Sequence, residues 1–183
     1  PDLVYYDDVS LPLWPISDVG LKIAAHLYNK SIKENQGRNE AVITAKELAA
    51  DEKDCLVWDV ERGVPPTIQE KPWQICTCLG SWHYDRGIYD RGHYKSAATV
   101  VRLLTDVISK NGNILLSVPL RADGTFDEKE EVILNEIAAW MAINSEGVFG
   151  TRPWKVHGEG PSYAASRPLH GLGFNESDYR SSI

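Results

Sequence analysis

The chain has 183 residues, an apolar content of 43% and a formal net charge of −7, which suits a globular protein and excludes the basic surface that nucleic-acid binding demands. No apolar run approaches the roughly 20 residues of a membrane-spanning helix. Three cysteines, Cys55, Cys76 and Cys78, are too few and odd in number for a disulfide framework, and with no second ligand pair they read as small buried hydrophobes rather than zinc ligands.

The chain opens on Leu3, Val4, Tyr5 and Tyr6, an apolar and aromatic run that reads as a buried strand and ends on two carboxylates, Asp7 and Asp8. A charge at the C-terminal lip of such a strand sits where a sheet stops and a cleft begins, and alternation sends the two acids to opposite sides. Pro12 and Pro15 cannot continue a ladder, so residues 11–15 read as a loop that carries Trp14. Ser17 is positioned to cap a helix with an apolar stripe of Val19, Ile23, Leu27 and Ile32 that stops before Asn35, Gln36 and Gly37.

Residues 41–45 form a second strand candidate, and the Ala- and charge-rich stretch through Lys53 reads as a surface helix. Residues 55–60 form a third strand, again finishing on acid at Glu61, with Asp59 two residues earlier. Residues 74–79 form a fourth, and it delivers Gly80, Ser81, Trp82, His83 and Tyr84 to the same end. Strands that end in chemically capable residues are what the catalytic face of a (β/α) barrel looks like in sequence.

The tetrapeptide Tyr-Asp-Arg-Gly occurs at 84–87 and again at 89–92, a local duplication read as a loop because its period is too short for a solenoid. Ser96 then caps a helix whose Ala97, Val101, Leu104 and Ile108 face the core, and Asn111 with Gly112 supplies the stop. Residues 113–118 are the last strand. Asp127 and Glu130 form a capping box for a closing helix with a stripe of Ile133, Ile137, Trp140 and Met141. Beyond Gly147 the composition turns to Gly, Pro, Ser and His without sustained periodicity, so residues 151–183 are expected to be an irregular connector or tail. Asn29 and Asn175 each head a glycosylation pattern short enough to arise by chance.

Several segments together carry a family resemblance. Pro1-Asp2-Leu3-Val4-Tyr5-Tyr6-Asp7 resembles the nucleophile strand of the α-L-fucosidases of glycoside hydrolase family 29. The segment from Leu56 to Gly63 resembles the one bearing the acid/base glutamate, and Pro72-Trp73-Gln74 running into Gly80-Ser81-Trp82-His83-Tyr84 resembles the motif that follows. Residues 109–116, 123–125 and 150–154 keep the family's order.

The resemblance implies an α/β fold, an incomplete (β/α)8-type TIM barrel. Residues 1–150 would form roughly its C-terminal half, since a complete barrel needs about 250 residues. The start on a strand without Met fits a chain that begins near the middle of a barrel, and such a piece alone is expected to be inactive.

The implied activity is a retaining hydrolase that releases terminal α-L-fucose from fucosylated glycans, with Asp7 as nucleophile, Glu61 as acid/base, and Trp82, His83 and Trp14 at the substrate. Asp8 and Asp59 are the respective rivals of the two carboxylates. No metal or organic cofactor is implied, and the compartment is expected to be extracytoplasmic. Alternatives are a retaining hydrolase for a related sugar such as galactose, or a noncatalytic carbohydrate-binding relative. A retaining mechanism asks for two carboxyl groups about 5 to 5.5 Å apart.

Overall fold

A computed structural model of the chain describes residues 1–7 and 11–158. Asp8, the second glycosylation pattern at Asn175 and most of the expected tail lie outside them. Five strands run in chain order across one sheet: β1 (Leu3–Tyr6), β2 (Val42–Ala45), β3 (Val57–Glu61), β4 (Trp73–Cys78) and β5 (Gly112–Ser117). The first three pair in parallel, with Leu3 opposite Val42, Tyr6 opposite Ala45 and Thr44 opposite Val57. Helix α1 (Val19–Glu34) connects β1 to β2, and α3 (Ala97–Ser109) connects β4 to β5, preceded by the short α2 (Arg86–Arg91) and followed, after β5, by α4 (Glu128–Asn144). Parallel neighbours force such crossovers, since a hairpin joins only antiparallel strands.

The chain forms two compact units, one of Pro1–Val60 with Lys71–Gln74 and the other of Glu61–Glu70 with Ile75–Ile183. In the first, Tyr6, Leu27, Ile43, Ala45, Leu48 and Leu56 make a buried cluster against which Val4, Tyr28 and Trp58 pack. Trp73 is buried and tilts against Trp58 with ring centroids 6.5 Å apart, and so serves the core. In the second, Val100, Leu103 and Val107 of α3 are buried, as are Ile75, Cys76, Cys78 and Leu79 on and beside β4. Cys76 and Cys78 are therefore the small core residues expected, whereas Cys55 is exposed.

The helices sit where expected, but two turn a different face to the core. In α1 the buried row is Gly20, Ala24, Leu27 and Ser31, while Ile23 and Ile32 are exposed. The reason is close approach: the Tyr6 hydroxyl donates to the Gly20 carbonyl at 3.3 Å, and a Cβ on Gly20 would stand 2.8 Å from Pro12 Cδ. No side chain fits at Gly20, the point of closest approach. In α3 the row is Ala97, Val100, Leu103 and Val107 rather than Val101, Leu104 and Ile108. Ser96 does cap α3 by accepting from the Thr99 amide at 3.2 Å.

Two local expectations are corrected. The stretch through Lys53 is not a surface helix but bends and a single 3₁₀ turn, Glu52–Asp54; Glu47 adopts a left-handed φ of 53°, which a helix interior does not admit. The duplicated tetrapeptide is not a loop but α2. Its first copy supplies the N-cap, Asp85 accepting from the Gly87 amide at 2.7 Å, and its second supplies the stop, Gly92 at φ 66°. Identical residues thus start and end one helix, through a carboxylate cap and a glycine free to turn left-handed. The capping box of Asp127 and Glu130 is present on α4, whose expected stripe is half-buried.

Candidate active site

Parallel pairing of β1 and β2 brings Tyr6 opposite Ala45, so the next residues, Asp7 and Lys46, leave the two strands side by side. Lys46 Nζ donates to Asp7 Oδ1 at 2.7 Å; the lysine side chain is 14% exposed and the aspartate 66% exposed. The Lys46 hydrogen bond holds the Asp7 carboxyl below the usual carboxylate range against opposing desolvation, and the Lys46 charge and the nearby Tyr5 hydroxyl add to the lowering. Asp7 is thereby favoured as an anion just past the C-terminal end of its strand.

Asp59 stands in a different environment. It is 1% exposed on β3, accepting from the Tyr5 hydroxyl at 2.9 Å on Oδ2 and from the Gln74 amide at 2.7 Å on Oδ1. Both oxygens are occupied by neutral donors. Alternation on β3 gives Asp59 and Glu61 the same side of the strand, and Glu61, its last residue, is exposed. A proton donor to a leaving group must reach solvent-side substrate, which suits Glu61 better than a carboxylate sealed under Tyr5 and Gln74.

Arg62 follows at a left-handed φ of 51°. Its amide donates to the Cys76 carbonyl at 2.9 Å, its Nη2 lies 3.4 Å from Cys78 Sγ, and its guanidinium sits 4.7 Å over the Trp82 ring. One indole face is therefore covered by a cation, a contact worth about 0.5 to 2 kcal/mol. Lys95 Nζ donates to the Cys78 carbonyl at 2.5 Å, and desolvation pulls its pKa down. His83 is exposed beyond Trp82. Trp14 is exposed on the loop after β1.

The sequence reading did not single out Tyr5, Lys46, Gln74 or the stacking role of Arg62. Lys46 carried a usable signal, a lone cation directly after a short apolar strand. The Tyr5 to Asp59 pairing spans 54 residues and left no local trace. Among the described residues no cluster of three or more His, Cys, Asp or Glu side chains is arranged to hold a metal ion, and no helix is long and apolar enough to cross a membrane. A 180 Å³ cavity lined by Pro1, Asp2, Lys30, Glu34 and Glu40 lies at the other end of β1 from Asp7.

The chain matches the family described as Alpha-L-fucosidase over residues 1–146. It is 34% identical over 94 residues to an α-L-fucosidase of Dictyostelium discoideum, a match covering 50% of this chain and 20% of that protein. A solved α-L-fucosidase superposes with a TM-score of 0.66 at 22% identity, over 85% of this chain and 33% of the other. Another, from Bacteroides thetaiotaomicron and described as a trapped covalent intermediate with 2-fluoro-fucosyl fluoride, superposes at 0.55 with 18% identity, over 71% of this chain and 33% of that one. The chain thus spans only a fraction of the length of the proteins it matches.

Proposed function

From the premise that the chain belongs to the α-L-fucosidase family, we propose that this protein releases terminal α-L-fucose from glycoconjugates or oligosaccharides with retained configuration. Residues 1–150 are read as roughly the C-terminal half of a (β/α)8-type barrel, and 151–183 as a connector. Asp7 attacks the anomeric carbon and Glu61 protonates the departing oxygen, then takes a proton from the incoming water. Trp82 offers an indole face to the apolar side of the deoxysugar, with His83 and Trp14 near the substrate.

The observation that carries this reading is the ion-paired Asp7 at the end of β1, kept anionic by Lys46 and Tyr5. Burial of Asp59 between Tyr5 and Gln74 supports Glu61 over its rival as proton donor. The covalent intermediate named for the Bacteroides relative accords with a nucleophilic carboxylate. The test is turnover by the full-length protein on aryl α-L-fucoside and aryl α-galactoside. Turnover of the fucoside with weak or no action on the galactoside is expected. Preference for the galactoside would replace the sugar, and binding of fucose without turnover of either would replace hydrolysis with recognition.

A further inference from the structure

Asp59 is the one carboxylate on β3 that solvent does not reach, and its burial calls for an explanation. Sealing an anion costs several kcal/mol unless charge or hydrogen bonds offset it, and here a phenol and an amide each donate to one of its two oxygens. What distinguishes the site is its neighbour. Tyr5 lies two residues before Asp7, its hydroxyl is bound to Asp59, and it also helps hold the Asp7 carboxyl in its ionised form. Lys46 binds Asp7, with Nζ 2.7 Å from Oδ1, and lies 6.0 Å from the Tyr5 ring centroid, at the outer reach of a cation–π attraction. A phenol has one proton, and Tyr5 gives it to the sealed carboxylate, Asp59, while alternation along β1 puts the Tyr5 ring on the same side as Asp7.

We propose that Asp59, Tyr5 and Lys46 form a positioning set for Asp7: Asp59 anchors the Tyr5 hydroxyl, and Tyr5 and Lys46 together fix the direction in which Asp7 presents its attacking oxygen. This rests on Asp7 being the nucleophile. Lys46 occupies Oδ1 and leaves Oδ2 for the anomeric carbon. When Asp7 becomes a neutral ester, the Tyr5 hydroxyl remains anchored on Asp59. None of the three touches the reacting atoms in this account. They act by holding a carboxylate that is otherwise exposed and free to rotate, and misplacement of a reacting group by about 1 Å costs on the order of 100-fold in rate.

The test uses the full-length protein with Tyr5→Phe, Lys46→Met, Lys46→Arg and Asp7→Gly variants, each checked for an unchanged circular dichroism spectrum. Tyr5→Phe is expected to lower kcat by roughly 10- to 100-fold with little change in KM. Lys46→Met is expected to move the acidic limb of kcat/KM to higher pH, because the Lys46 hydrogen bond and charge keep Asp7 ionised against desolvation; Lys46→Arg should restore the limb. In Asp7→Gly, azide rescue should need several-fold more azide once Lys46→Met is added, since the lysine would otherwise hold the anion in the vacated place. Should Asp7→Gly keep its activity, the nucleophile assignment itself fails. If instead Asp7→Gly is inactive and rescued by azide while Tyr5→Phe and Lys46→Met keep wild-type kcat and an unmoved acidic limb, the positioning proposal alone is overturned. If Tyr5→Phe does not fold, the Lys46 pair and the azide requirement decide the matter.

Discussion

Replacing Asp127 by Ala tests the polar joint that starts α4. Asp127 is wholly buried, accepting at Oδ1 from the Lys129 amide at 2.9 Å and the Glu130 amide at 2.8 Å, and at Oδ2 from the Tyr94 hydroxyl at 2.5 Å. Loss of the cap costs about 1 kcal/mol, and leaving the Tyr94 hydroxyl without its acceptor costs roughly 1 to 3 more. The sum, about 2 to 4 kcal/mol, is a large share of the roughly 5 to 15 that stabilises a domain. Asp127→Asn keeps an acceptor for the helix amides and gives up about 0.3 to 1 kcal/mol of attraction to the helix N-terminus. Equilibrium urea unfolding of the full-length protein, followed by fluorescence and circular dichroism, should rank wild type above Asn above Ala. A double-mutant cycle with Tyr94→Phe should show a coupling near 1 kcal/mol or more. An Ala variant within about 0.5 kcal/mol of wild type, or an additive cycle, would refute the assigned geometry.

Gly20→Ala places a Cβ 2.8 Å from Pro12 Cδ and 2.9 Å from the Pro12 backbone nitrogen, so either α1 or the loop carrying Trp14 must shift; a loss of about 1 to 3 kcal/mol is expected in thermal unfolding, and an unchanged Tm would contradict the close approach. Glu128 accepts from Arg121 Nη2 at 2.6 Å and from the Tyr89 hydroxyl at 3.1 Å, and the Arg121 hydrogen bond leads in bringing its pKa down to about 2. A carboxyl depressed in the folded state contributes stability above its ordinary value and loses it as pH falls toward the folded one, so a side-chain carbon titration by NMR should show Glu128 ionised until about pH 2. In Arg121→Ala the titration should return toward the ordinary range; an unaltered curve would remove Arg121 as the cause.

The strands were legible as short apolar runs: Trp73–Cys78 is buried almost throughout, whereas in Leu3–Tyr6, expected to be buried, only Tyr6 is. Helix positions were legible from caps, as Ser96 and Asp127 show. The buried face of α1 was not, because periodicity weights large apolar residues, while the packing against Tyr6 and Pro12 selected Gly20 and Ala24. Asp7 and Glu61 stood out as acids at strand ends. Lys46 and Asp59 join Asp7 through parallel register and a hydrogen bond across three strands, relations that exist only once the crossovers are made.

The configuration of azide-rescued products separates the role of Asp7 from that of Glu61. In the full-length protein, Asp7→Gly with azide and an activated aryl α-L-fucoside should yield the β-configured fucosyl azide, because azide enters from the face the carboxylate vacated. Glu61→Ala should still form the covalent intermediate on good leaving groups and yield the α-configured azide. An α product from Asp7→Gly, or a β product from Glu61→Ala, would contradict the assignment.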